Sequence, residues 1–467
     1  MNHLRCLHIL VLVPFGLIAC ALKSPSSGSR LELPAAWKNA GSFPSAAPAR
    51  DLTRWWNRFD DPTLTRVITE ALKANPDIDS AIARIRESRA RRKAEAATLF
   101  PTLDGSAATN SSNTRTHHAG SISATSYSAG LDASWEVDLF GKRRNLVAAA
   151  SANVGVAEEN LHSVQAALAA EIAIAYANLR ATEARMEVLA RNVKTREETS
   201  QLASWRQQAG EADSLESSQA LSSLEQARAA VPALVQTAAQ TRNQLARLAG
   251  RTPGSLDRLL GPAGHGIPNP ARSLAVGIPA DTLRQRPDVR TAGYQILAAA
   301  ANTRAADAAR FPSLNLSGSI GLTALRAGKI FNPETTSANM LAGITSPIFD
   351  AGRIRANIEA TSAVEQQAIH SYRATVLTAL SETEDALLAC RGTAERLLIL
   401  EKATVSAREA NSLAQQRYQA GEIDFLNVLE AQRTLLGLED SLIATRTDRT
   451  IAYIQLYKAL GGGWSDS

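Results

Sequence analysis

Two periodicities alternate along the chain. Between Lys142 and Gln208 there is no proline and a single glycine, and Leu168, Ile172, Ala175, Leu179, Thr182, Met186, Leu189 and Val193 step by four and three. That is a heptad seam, and it predicts a helix about 100 Å long at ~1.5 Å per residue. Beyond "QAGEAD", the residues Leu221, Leu224, Arg228, Val231, Val235, Ala238, Arg242 and Leu245 continue the stepping toward Gly250. An antiparallel partner follows, kinked at Pro232, whose ring removes an N–H and crowds the preceding turn. This partner is too short to match the long helix. The helical stretch from Asp77 to Phe100 makes up the difference, so two short helices stacked end to end match one long one.

The second periodicity is two. In "YSAGLDASWEVDL" the residues Tyr127, Ala129, Leu131, Ala133, Trp135, Val137 and Leu139 alternate with Ser126, Ser128, Gly130, Asp132, Ser134, Glu136 and Asp138. One apolar and one polar face mark a strand. Leu314, Leu316, Gly318, Ile320 and Leu322 alternate in the same way with Ser313, Asn315, Ser317 and Ser319. Residues 102–110 and the weaker 338–349 read as their partners, joined by loops rich in Ser, Thr and Asn.

The two patterns occur twice. "RQQAGEADSL" at 206–215 returns as "RYQAGEIDFL" at 417–426, a shift of 211 positions from Gly210 to Gly421. The same shift carries Gly141-Lys142 to Gly352-Arg353, Phe100-Pro101 to Phe311-Pro312, Pro76-Asp77 to Pro287-Asp288, and "LARLAG" at 245–250 to "LYKALG" at 456–461. One long unit has been duplicated, with a period too long for a solenoid of small repeats. Each copy contributes two strands of about the length outer-membrane barrels use. Four strands cannot close a barrel, and open edges in lipid leave backbone groups unsatisfied. The chain therefore pools strands with other copies, and three copies give twelve. A soluble sheet packed on the helices shares the pattern and remains the alternative at this stage.

The first twenty residues change the picture further. Arg5 gives a positive start, "LHILVLVPFGLI" is an apolar core too short for a final membrane anchor, and "LIAC" at 17–20 follows. This reads as a bacterial lipoprotein signal with Cys20 as the lipid-carrying first residue of the mature chain. Ala21, where aspartate would signal retention, favours the outer membrane by resemblance to bacterial lipoproteins generally. Acyl chains contribute about 0.8 kcal/mol per buried CH₂. The Pro-, Ser- and Gly-rich stretch behind Cys20 reads as an extended strap.

The 50 basic and 45 acidic residues are interspersed along helical stretches, a solvated helix face with no interleaved aromatics, which argues against nucleic acid. The cysteines are Cys6, Cys20 and Cys390, so the mature chain has no disulfide framework. Cys390 occupies the place of Leu179 on the seam and reads as a packed thiol. No HExxH, P-loop or nucleophile elbow appears, which argues against an enzyme. His117-His118 lies in a polar loop, more consistent with a solvated loop than a metal pair. "GGGW" at 461–464 reads as a helix stop.

The chain resembles the TolC-like outer-membrane channels of tripartite efflux pumps, and specifically their NodT-type lipoprotein branch. The resemblance rests on "RWWNRFDDPTL" at 54–64, "ALKANPDIDSAIARIRESRA" at 71–90, "WEVDLFGKRR" at 135–144, "LRQRPDVRTAG" at 283–293, "FDAGRIRA" at 349–356 and "LYKALGGGW" at 456–464. It implies a mixed α/β membrane protein: a homotrimer with a twelve-stranded β-barrel in the outer membrane, four strands per chain, and a long periplasmic α-helical coiled-coil barrel. The expected division is a signal peptide at 1–19, a lipidated strap at 20–60, and repeats at 61–270 and 271–467. The implied partners are a periplasmic adaptor, an inner-membrane RND-type transporter and outer-membrane lipid, with no cofactor beyond the lipid on Cys20. A type I secretion outlet and a non-conducting coiled-coil tether are the competing readings.

The two "QAGE" strings are then turns at the periplasmic end. Gly210 and Gly421 allow the left-handed backbone of a tight turn, and Asp213 and Asp424 are placed to cap the returning helices. The resemblance makes these turns, with Arg206 and Arg417, the contact with the adaptor. It also links Tyr418 to Glu216 in a lock. Leu426 and Glu430 are four apart and share a helix face; the resemblance makes them an apolar and an acidic ring at the closed entrance, with Glu430 where drug-efflux members carry Asp. An inward carboxylate ring favours cations.

Overall fold

The computed structural model describes residues 33–40, 52–116, 120–262, 266–270, 279–330 and 336–465, and those from Pro34 onward belong to one compact unit. Two helices dominate it, α3 (Lys142–Gln208) and α8 (Arg353–Gln419), each of 67 residues and so about 100 Å long. Shorter helices α2 (Pro76–Ala97) and α7 (Pro287–Ala308) precede them, and α4 (Ser214–Leu248) and α9 (Phe425–Ala459) follow. Every bound in the second set equals the first plus 211. Strands β1 (Thr102–Thr116) and β2 (Gly120–Val137) lie between α2 and α3, and β3 (Ser313–Ala324) and β4 (Thr336–Thr345) between α7 and α8. The remaining α-helices among the described residues are α1 (Pro62–Ala74), α5 (Asp257–Leu260) and α6 (Pro279–Gln285).

The short helices stack end to end as the pattern predicts, through a bolt that recurs in both copies. Asn75 caps α2 by accepting from the Asp77 N–H at 2.7 Å, and its amide donates to the Leu248 carbonyl at the end of α4 at 2.8 Å. In the second copy Arg286 stands at the place of Asn75, and its guanidinium donates to the Ala459 carbonyl at 3.0 Å while holding Asp288 and Glu382. A glycine makes the close approach possible. A Cβ on Gly250 would sit 2.1 Å from the Ala74 carbonyl oxygen, and one on Gly461 would sit 3.0 Å from the Gln285 carbonyl.

The main core lies where α1, α3, α9 and "RWWNRF" meet. Trp55 is fully buried and stacks on Tyr457 at 5.4 Å, with Ile68, Ile172, Leu179, Leu245, Leu387 and Ile454 around it. Asp61 caps α1 by accepting from the N–H groups of Thr63 and Leu64, each at 2.9 Å, and also accepts from the Tyr176 hydroxyl of α3 at 2.8 Å. One carboxylate thus fixes both the start of α1 and its docking on α3. Cys390 is buried as expected, and burial pushes its thiol up to about 12.

Several expectations need correction. On α4 the buried face is Ala220, Ser223, Leu224, Ala227, Ala238 and Leu245, while Leu221, Arg228, Val231 and Val235 are exposed. Small side chains allow the closer approach to α3, so they displace the larger ones of the supposed seam. Helix α4 continues through Pro232 from Ser214 to Leu248, so the proline does not end it. Strand β1 continues to Thr116, past the apolar alternation, because its backbone pairs with β2 throughout. Strand β4 ends at Thr345 rather than 349, two residues before Pro347, which has no N–H to donate.

The "GGGW" segment does more than stop a helix. Gly461 ends α9 at φ 81°, the Gly463 N–H donates to the Leu52 carbonyl at 2.9 Å, and Trp464 stacks on His162 of α3 at 4.2 Å. His117, His118 and Cys20 lie outside the described residues.

Candidate functional site

Two regions carry the features singled out above: the sheet and the paired turns. The strands lie in the order β1-β2-β3-β4, antiparallel throughout. Their register aligns Leu103, Ala133, Gly318 and Met340 in one row and Gly105, Leu131, Ile320 and Ala338 in the next. The alternate row is Asp104, Asp132, Ser319 and Asn339. The period-two pattern of each strand is thereby summed into a sheet with one apolar and one polar face. The apolar side chains Leu103, Leu131, Ile320, Met340 and Ile344 are exposed, and among the described residues the outer edges of β1 and β4 have no strand neighbour. Among the described residues no helix is long and apolar enough to cross a membrane. At the base of the sheet Phe140 and Phe311 stack at 4.8 Å, and Glu136 holds Arg143 at 2.7 Å and Lys142 at 3.2 Å.

At the opposite ends of the long helices, Gly210 and Gly421 adopt φ of 78° and 75°, the left-handed region expected of them. A Cβ at either would meet nothing within 4 Å, so backbone conformation alone asks for glycine. Asp213 accepts from the Glu216 N–H at 2.9 Å and caps α4. Asp424 stands at the same place before α9 but makes no side-chain cap; its carbonyl takes the Asn427 N–H at 3.1 Å instead. Asn427 stands at the place of Glu216 and keeps the same backbone N–H, but here that donor goes to the Asp424 carbonyl rather than to its carboxylate. Arg206 and Arg417 diverge as well. Arg206 lies over the Tyr418 ring at 5.0 Å with 20% of its side chain exposed, whereas Arg417 is 65% exposed and faces Glu422 at 3.6 Å.

Tyr418 and Glu216 are brought together. The Tyr418 hydroxyl donates to Glu216 Oε1, and Arg206 Nη1 stands 3.8 Å from the same oxygen. Tyr418 is 1% exposed and packs with Ala203, Ala220, Phe425, Val428 and Leu429. Burial, and then the Glu216 carboxylate, push its phenol up to about 12. The link is therefore a neutral donor on a carboxylate, with a guanidinium alongside, joining the second hairpin to the first.

Leu426 and Glu430 are both exposed on one face of α9, opposite the buried Phe425, Val428 and Leu429. Arg206 enters the link as its third member, a part the sequence reading had assigned to the turn alone. Leu215 is equally missed: it is 61% exposed at the place in copy one that Leu426, 59% exposed, holds in copy two. The 211-residue shift was the signal that pointed to it.

Comparison with known proteins follows the same lines. The family model described as outer membrane efflux protein matches residues 67–251 and 278–462. The pyoverdine export outer membrane protein OpmQ of Pseudomonas aeruginosa is 32% identical over 460 residues, covering 96% of this chain and 94% of that protein. The solvent efflux pump outer membrane protein SrpC of Pseudomonas putida is 33% identical over 454 residues, covering 95% of each. Among solved structures, the outer-membrane channel OprN aligns with a TM-score of 0.86 at 32% identity, covering 94% of this chain and 99% of that one. The open state of the Neisseria gonorrhoeae MtrE outer membrane channel aligns with a TM-score of 0.82 at 30% identity, covering 93% and 96%.

Proposed function

This chain belongs to the outer membrane efflux protein family, and from that premise we propose that three copies pool their strands into one barrel through which solutes leave the cell. The chain is an outer-membrane exit channel of an efflux system, with the TolC-like fold, and its relatives are channel proteins rather than enzymes. The observation that carries the trimer is the sheet. An apolar face in register across four strands suits lipid, but its two free edges do not, since each unpaired backbone group in hydrocarbon costs several kcal/mol. Pairing β1 of one copy with β4 of the next removes every edge, and three copies make a twelve-stranded barrel. Exposed apolar residues also run along α8, at Leu398, Ile399, Val405 and Leu413, and along α4, at Leu221 and Val235. They are suited to the same neighbouring copies.

In this reading the apolar sheet face meets lipid, the polar face lines the barrel, and the paired turns lie at the periplasmic end. There Arg206, Gly210, Asp213, Arg417, Gly421 and Asp424 meet a periplasmic adaptor, which couples the channel to an inner-membrane RND-type transporter. The Tyr418–Glu216 link holds the two hairpins of each chain together, and Leu426 and Glu430 form rings at the entrance. Cys20 carries the lipid anchor. The relatives' names, solvent efflux and pyoverdine export, support small molecules as cargo. The test is the purified, detergent-solubilised protein: its mass by light scattering should be three chains, and it should conduct ions in planar bilayers. A monomer, or a trimer that passes no current, refutes the reading.

A further inference from the structure

The exposed stripe of α9 carries a charge that the two entrance positions leave unexplained. Leu426, Glu430, Arg433 and Gly437 step by four, three and four, and all are exposed, so they share one helix face. Among the described residues Arg433 makes no ion pair, even with Glu430 three positions earlier. Behind it stands Arg196 of α3, only 7% exposed. Its guanidinium donates to the Ser223 carbonyl at 2.8 Å and to the Ser223 hydroxyl, and its Nε has no partner. The Gln432 amide donates to the Thr199 hydroxyl at 3.4 Å, and Ala203 clusters with Val428. These contacts place Arg196 and Arg433 on neighbouring turns of antiparallel helices. Burial first, and Arg433 second, hold the Arg196 guanidinium below its ordinary value.

A buried cation is normally matched by a carboxylate, because an unpaired one is costly to desolvate. Here the charge that acts on Arg196 is a second cation, so an anion is the chemistry this locus lacks. We propose that Arg433, backed by Arg196, is a recognition station for anionic oxygen groups on the permeating molecule, one helical turn beyond the Glu430 ring. This rests on the reading of the α9 stripe as channel lining. A solute entering from the tip then meets carboxylates and, about 4.5 Å further along the helix, guanidinium groups. Small molecules carrying both charges, or a carboxylate beside an apolar body, fit that sequence. An acidic ring alone would make the entrance cation-selective; the adjacent basic ring offsets it.

The test is the reversal potential of the full-length channel in a potassium chloride gradient. Arg433 is exposed, so Arg433→Gln should leave assembly intact. A unit charge about 5 Å from a permeant ion changes its local concentration roughly fourfold in water before salt screening. Removing that charge raises the local cation concentration and lowers the anion concentration by the same factor. Arg433→Gln should therefore raise the cation-over-anion permeability ratio by up to about sixteenfold per charge before screening, and Arg433→Lys should restore the parent value. Glu430→Gln should carry the reversal potential through zero to anion preference, because the Arg433 charge is left unopposed. If Glu430→Gln shifts the potential and Arg433→Gln does not, the station is refuted while the lining reading stands. If neither substitution shifts it, the stripe is not lining, and both fall.

Discussion

Substituting Tyr418 by Phe isolates one hydrogen bond at the channel tip. The phenyl ring keeps its place over Arg206 at 5.0 Å, beside Phe425 at 5.9 Å, and in the cluster with Ala203 and Val428. What is lost is the donor to Glu216. A hydrogen bond to a charged group contributes about 1.5–3 kcal/mol. The lower figure applies here, because 20% of the Glu216 side chain is exposed and Arg206 remains 3.8 Å from the same oxygen. About 1.5 kcal/mol per chain corresponds to roughly a tenfold shift in the balance between joined and separated hairpins. If the three links of a trimer open together, the sum of about 4.5 kcal/mol corresponds to somewhat more than a thousandfold. Single-channel recording should show longer and more frequent open events in Tyr418→Phe, and their scaling tells whether the links open singly or in concert. Glu216→Gln keeps an acceptor without the charge and should fall between. Conductance and open probability identical to the parent in Tyr418→Phe would refute the lock.

Three other outcomes follow from the structure. Mass spectrometry of the mature N-terminus should find an acylated Cys20, absent in Cys20→Ser; an unmodified Cys20 in the parent protein would end the lipoprotein reading. Gly250→Ala should cost more than about 2 kcal/mol, since its Cβ would meet the Ala74 carbonyl oxygen at 2.1 Å, whereas Gly421→Ala, with nothing within 4 Å, should cost about 1 kcal/mol for the left-handed backbone alone; equal thermal shifts for the two would contradict this. Tyr176, Tyr418 and Tyr457 are each pushed up to about 12 from 10, chiefly by burial. A folded-state value above the unfolded one means that their contribution is whole below pH 10 and is lost between about 10 and 12, so the melting temperature should be insensitive to tyrosine ionisation below 10 and fall steeply above it.

Much of the skeleton was legible because periodicity and duplication report backbone facts. A helix without proline, a strand of period two and a glycine at a left-handed turn are local, and the 211-residue shift let each be checked against its counterpart. Interhelical packing was less legible. The stepping on α4 counted Leu221, Val231 and Val235 as seam because they are apolar, but apolar residues also serve surfaces that face another copy, and the sequence does not mark which. Strand limits failed for a related reason: pairing continues through Ser, Thr and Asn in β1 as readily as through Leu, because the backbone supplies the bonds. The bolts at Asn75 and Arg286 were invisible. An asparagine and an arginine at matching positions look unrelated until the structure shows both donating to the last helical carbonyl of the hairpin that follows in the same copy.

The duplication also bears on where function resides. Where the two copies keep the same residue, as at Gly210 and Gly421, the structure shows shared geometry and the same backbone requirement. Where they differ at the tip, the difference is chemical. Copy one has Gln207 where copy two has Tyr418, and Glu216 where copy two has Asn427. Donor and acceptor of the lock thus come from opposite copies, and neither copy could form it with another like itself. Arg206 is drawn over Tyr418 while its counterpart Arg417 remains exposed, and Asp213 caps its helix through the Glu216 N–H while Asp424 makes no such cap. Within one chain the two hairpins are thus pinned to each other by a phenol and a carboxylate. The counterpart positions, Gln207 and Asn427, are two amides without charge. The duplicated frame therefore repeats the turn but not the phenol–carboxylate pair, so breaking the Tyr418–Glu216 bond leaves no equivalent bond, among the described residues, between the counterpart positions Gln207 and Asn427.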